Sequence, residues 1–110
     1  MEKFGLKENT IHSINAIFEN HLNIEKCILY GSRAKGNFRP GSDIDLTLIG
    51  EKLTLTELLE IENELDDLLL PYKIDLSIFH KIENESLLGH IKRIGREFFN
   101  SQKTVLKTQN

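Results

Sequence analysis

Cysteine is nearly missing from this 110-residue chain: Cys27 stands alone, which excludes an internal disulfide and fits the reducing conditions of the cytoplasm. Apolar runs stop at three or four residues, as in Leu68 to Leu70 and Cys27 to Tyr30, so no membrane span or signal core fits. Positive charge is not in excess. Fourteen Lys and Arg face seventeen Asp and Glu, for a net charge of −3, which argues against a general nucleic-acid binder with a basic face. The four histidines (12, 21, 80 and 90) form no close pair at metal-ligand spacing, which speaks against a zinc site. There is no repeat, no low-complexity tract and no linker rich in Pro, Gly or Ser. What is left is one small globular domain over residues 1–100, followed by a polar tail over 101–110.

Helix and strand patterns alternate along the chain. Ile11, Ile14, Ile17, Phe18 and Leu22 recur at helical spacing and predict an amphipathic helix over 9–22. Cys27 to Tyr30 reads as a buried strand ending at Gly31, with Ser32 placed to cap a short helix before a Gly/Pro loop. Residues 43–49 and 73–79 alternate apolar and polar and predict two strands, each with one buried face. Between them, Thr54 and Glu57 have capping-box spacing, and the stripe Leu58, Ile61, Leu65, Leu68 marks a helix ending before Pro71. Leu87, Leu88, Ile91 and Ile94 mark a last helix with Gly95 as its left-handed terminator. Phe98 and Phe99 suggest a final extended segment. Charge is uneven: residues 51–70 hold seven acids and one Lys, and residues 89–110 five bases and one acid, read as solvated helix faces in preference to a docking surface for a partner. The first ten residues read only as polar and charged. The class expected is α/β, a small mixed sheet with helices mainly on one face and the other open.

The chemistry lies in residues 31–45, GSRAKGNFRPGSDID, taken with Asp75. Two residues apart on a strand, Asp43 and Asp45 project from one face, and Asp75 lies opposite the core residues of its own strand. If the two strands are neighbours, three carboxylates come close enough to need a cation, and oxygen donors of this kind suit Mg²⁺ with substrate phosphates. Just before them, Gly31 lets backbone approach a phosphate, and Ser32 adds a hydroxyl at a helical turn. Arg33, Lys35 and Arg39 supply positive charge in a stretch, 31–42, without acids. Arg33 and Lys35 either contact the phosphates or sit in solvent; Arg33, beside Ser32, is taken as the nucleotide contact. Together these residues suit transfer of a phosphate-containing group.

Other readings of the aspartates fit worse. A calcium loop starting at Asp43 needs Gly at its sixth position and Glu at its twelfth, where Leu48 and Thr54 stand. A DxDxT phosphatase places its acids after an apolar strand, not before one, and a DxD sugar transferase needs a far larger domain. Ser42 is read as a loop residue, Tyr30 as core, Tyr72 as an exposed turn residue without a role, and the histidines as surface or core.

Gly31-Ser32, ten residues, then Asp43-Ile44-Asp45, with Asp75 on a later strand, resembles the signature of the polymerase-β-like nucleotidyltransferase superfamily. The wording GSRAKG…SDIDL is most similar to its minimal, stand-alone members, and the likeness runs from about Ile11 to Phe99. It implies that Asp43 and Asp45 bind divalent metal, two Mg²⁺ ions being usual, and that Asp75 completes the site and helps deprotonate an acceptor hydroxyl. It implies that Gly31 and Ser32 hold the phosphates of ATP. It also implies a partner, because minimal members pair with a helical HEPN toxin and act as antitoxins by transferring AMP to a toxin tyrosine. Two alternatives stay open: an antitoxin that neutralises by binding alone, and a transferase acting on a small hydroxylated molecule.

Overall fold

The structure, a computed structural model, describes residues 2–102. Phe4 and Gly5 both take positive φ, 59° and 73°, the backbone twist that suits a two-residue hairpin turn. They join β1 (Glu2–Lys3) to β2 (Leu6–Lys7). Sequence reading missed this pair because Phe-Gly is not the usual Asn-Gly signal. The hairpin is anchored: Leu6 is fully buried, and the Phe4 ring stacks on Phe98 with centroids 6.2 Å apart.

Helix α1 (Glu8–Glu19) buries Ile14 and Phe18 as its spacing predicts. It stops three residues short of the predicted end, so the helical period no longer carries Leu22 inward. That leucine is 93% exposed. The chain then runs through β3 (Lys26–Tyr30), the short helix α2 (Gly31–Lys35) and β4 (Ile44–Ile49). After these come α3 (Leu55–Asp66), β5 (Ile74–Ile78), a 3-10 turn at Phe79–Lys81, α4 (Glu85–Ile94) and β6 (Arg96–Asn100). Most of the polar tail expected over 101–110 lies outside the described residues. Among those described, no helix is long and apolar enough to cross a membrane.

Four strands form a mixed sheet in the order β5-β4-β3-β6, with β4 and β5 parallel and the other pairs antiparallel. Cys27, Leu29, Ile44, Leu46, Leu48, Leu76 and Ile78 line one face and pack with Ile14, Phe18, Ile61 and Leu65 of α1 and α3. The Cys27 thiol is fully buried there, and burial pushes its pKa well above the usual range, as befits a small hydrophobe. A register shift between Cys27 and Ile28 leaves Phe98 without a partner on β3. That bulge puts two consecutive phenylalanines, Phe98 and Phe99, on the buried side. The opposite face carries Tyr30, Asp45, Thr47, Asp75 and Ser77, with Ser77 Oγ donating to Thr47 Oγ1 at 2.9 Å. Helix α4 meets the β3 side of that face, where His90 stands against Tyr30, and Thr47 of β4 is fully buried, while Asp75 on the edge strand β5 is exposed.

Two local expectations are corrected by packing. Gly95 has φ −55° and ψ 142°, so it is no left-handed terminator. Glycine is needed there because a Cβ would press on Ile28 Cγ2 and the Ile91 carbonyl. The capping box of α3 is half formed: Glu57 N donates to Thr54 Oγ1, but the Glu57 carboxylate accepts from Asn23 and meets His21 Nδ1 at 3.1 Å. The other ring nitrogen of His21 lies 3.0 Å from Glu64. Part of the acidic stretch therefore ties α3 to the loop after α1 instead of facing only solvent.

Past α3, Leu69 sits at φ 54° and is 87% exposed. A left-handed leucine with so little contact carries backbone strain without packing to offset it. Leu69→Gly is expected to stabilise the fold by about 0.5–1 kcal/mol, read from the midpoint of urea unfolding.

Candidate active site

The site begins where β3 ends. Tyr30 is extended, and Gly31 turns at φ +73° into α2. Glycine suits this turn because a Cβ would be left-handed, and it would also push aside the carboxylate of Asp45. The Gly31 N–H donates to Nε2 of His90 at 3.0 Å. The His90 ring in turn stands edge-on to Tyr30, with centroids 6.1 Å apart.

Asp45 is in register with Tyr30 on one side and with Asp75 on the other. Strands β4 and β5 are thus neighbours, and the two acids stand side by side on the face opposite the core. Asp43 precedes the first residue of β4 and is exposed, as is Asp75. The Asp45 carboxyl is pushed above its usual range first by burial, then by Asp75 and Asp43, while Lys73 pulls it back. Burial also raises the Tyr30 hydroxyl; Ser77, by a hydrogen bond, opposes this, and the charges of Asp75 and Asp45 add to it.

Among the described residues, no three His, Cys, Asp or Glu side chains are drawn into a metal-holding cluster. The acids share a face and a field, but like charges with access to solvent have no reason to converge unaided. The donor set still fits a hard divalent ion. It is all carboxylate oxygen, and a cation would relieve the repulsion that Asp75 and Asp43 add to the larger effect of burial on Asp45.

Arg33 does not belong to this group. Expected to contact the nucleotide, it is only 2% exposed. Its guanidinium donates to the carbonyls of Phe4, Pro40 and Ser42 and lies over the rings of Phe38 and Tyr72. It clips the loop before Asp43 to the N-terminal hairpin. Tyr72, expected as an exposed turn residue, is the lid on that clip. Lys35 and Arg39 are exposed and Ser32 is half-buried, while Ser42 Oγ caps the loop by accepting from Arg39 N at 2.9 Å. Lysine has neither the fork nor the plane to replace Arg33. Arg33→Lys is expected to cost about 2–3 kcal/mol of stability in chemical denaturation. A variant that kept full stability and lost only nucleotide affinity would return Arg33 to the phosphates.

The sequence profile described as "Polymerase beta, Nucleotidyltransferase" matches residues 12–104. The chain belongs to that family. Gly31, Ser32, Asp43, Asp45 and Asp75 all fall inside the matched region of this nucleotidyltransferase-family chain, and the β1–β2 hairpin falls outside it. No protein of curated function matches the sequence. Solved structures of similar fold include a chain of a toxin–antitoxin complex with AMP-PNP, at TM-score 0.66 and 21% identity, covering 94% of this chain and 88% of that one. A second is the tri-AMPylated Shewanella oneidensis HEPN toxin in complex with MNT antitoxin, at TM-score 0.65 and 17% identity, covering 90% and 76%. The MntA–HepT toxin–antitoxin complex follows at TM-score 0.63 and 16% identity, covering 94% and 87%. At these identities the likeness is one of fold.

Proposed function

We propose that this chain is a Mg²⁺-dependent nucleotidyltransferase of the cytoplasm that carries AMP from ATP to a hydroxyl, tyrosine in the first place, of a HEPN-type toxin, and so acts as its antitoxin. The observation that carries the reading is the in-register pair of Asp45 and Asp75, with the Gly31 turn packed against the Asp45 carboxylate. Two structures of similar fold, one with AMP-PNP and one with a tri-AMPylated HEPN toxin, support the choice of nucleotide and acceptor.

Asp43, Asp45 and Asp75 would hold the metal, which when bound neutralises charge on the triphosphate. Gly31, lacking a side chain, admits the phosphates close to the backbone, and the Ser32 hydroxyl donates to them. Asp75, exposed on the edge strand, is placed to take the proton of the acceptor hydroxyl. The acceptor oxygen bonds to the α-phosphorus, the bond from that phosphorus to the bridging oxygen breaks, and pyrophosphate leaves. Asp75 on the edge strand is exposed, and the partner protein is placed to wall that side of the site in a hetero-oligomer.

Incubation of the folded chain with ATP, Mg²⁺ and the HEPN-type product of the adjacent gene should add adenylate mass to a toxin tyrosine. No addition by a chain that binds nucleotide overturns the proposal. If the Asp43→Asn/Asp45→Asn double variant neutralises the toxin as well as the parent does, the chain is instead an antitoxin by binding alone.

A further inference from the structure

His90, which the acids and the Gly-Ser turn leave without a role, touches that turn directly. It lies on α4, 59 residues beyond Gly31, and its Nε2 is 3.0 Å from the Gly31 amide nitrogen. A backbone N–H only donates, so Nε2 is the acceptor and carries no hydrogen; a neutral ring then has its hydrogen on Nδ1. Edge-on contact with the buried Tyr30 ring fixes the plane of the imidazole. On its other side, Gly31 is confined by the carboxylate of Asp45. The left-handed turn is therefore held between an imidazole acceptor and a carboxylate.

We propose that His90 is a positioning residue: by accepting the Gly31 N–H it sets the turn so that Ser32 meets the nucleotide's phosphates. This rests on the reading of the turn as a phosphate holder. Without the acceptor, the Gly31 N–H loses its partner on α4, and the turn that carries the Ser32 hydroxyl is held on one side only.

Two variants separate this role from simple packing. Gln at position 90 brings an amide oxygen to about where Nε2 lies; Leu fills the space without an acceptor. Binding of AMP-PNP with Mg²⁺ is expected to weaken about tenfold in His90→Leu and less than about threefold in His90→Gln. Circular dichroism verifies that both variants are folded. In the parent, side-chain ¹⁵N spectra should place the hydrogen of His90 on Nδ1, and the Gly31 amide resonance should shift in His90→Leu and return toward the parent's in His90→Gln. A parent that binds AMP-PNP while His90→Leu binds it equally well overturns the inference alone, as does a parent with the hydrogen on Nε2. A parent that binds no AMP-PNP removes the phosphate reading and this inference with it. A parent that binds but transfers no AMP removes only the proposed acceptor chemistry.

Discussion

Asp45→Asn is expected to lower nucleotidyl transfer by about a thousandfold while melting at or above the temperature of the parent. Both halves follow from where the carboxylate sits. Asn keeps the shape that fits beneath Gly31 but cannot hold a cation beside Asp75. The carboxyl is raised from 3.8 by burial, Asp75 and Asp43, so its contribution favours the folded state below the unfolded value and is lost as pH rises through the folded one. At neutral pH the ionised group is therefore a cost, and the uncharged amide removes it. The stability gain should shrink as pH falls through the carboxyl's raised range, where the parent takes up its own proton. Added Mg²⁺ should raise the melting temperature of the parent and leave that of the variant nearly unchanged. A transfer assay measures the first half and thermal melts with and without the ion, at neutral and acidic pH, the second; a variant that melts well below the parent would make Asp45 a structural residue.

Gly31→Ala is expected to be the most damaging single methyl that can be added near the site. The new Cβ must adopt a left-handed φ and displace the Asp45 carboxylate, together costing about 3 kcal/mol. For a domain of this size, that lowers the melting temperature on the order of 15 °C. Transfer should be lost in the fraction that remains folded, because both the turn and Asp45 are displaced. A double-mutant cycle divides the cost. In an Asp45→Ala background the overlap no longer exists, and the same glycine change should cost only the conformational part, about 1–2 kcal/mol. Full additivity would mean that the turn and the carboxylate do not press on each other.

Alternation in residues 43–49 and 73–79 made two strands and their polar faces readable before any coordinates, and the Gly-Ser spacing marked the turn. That the acids sit side by side was not readable, because parallel pairing through a helix leaves no local signal. Arg33 and Lys35 look alike in sequence, as cations on one loop. What separates them is burial, set by Phe4, Phe38 and Tyr72 closing over one guanidinium. His90 occupies an ordinary helical position, and only the packing of α4 across Tyr30 brings it to Gly31. Consecutive Phe98 and Phe99 defied an alternating pattern for a local reason, the bulge against Cys27 and Ile28. Leu22 followed a period that outlasted its helix.

Parallel pairing of β4 with β5 also orders events in time. A chain still leaving the ribosome already contains Gly31, Asp43 and Asp45, and β3 can pair with β4 across the intervening loop. Asp75 arrives only after α3 has been made and has carried the chain back along the sheet to lay down the edge strand. Nascent or prematurely truncated chains therefore have two acids and lack the third.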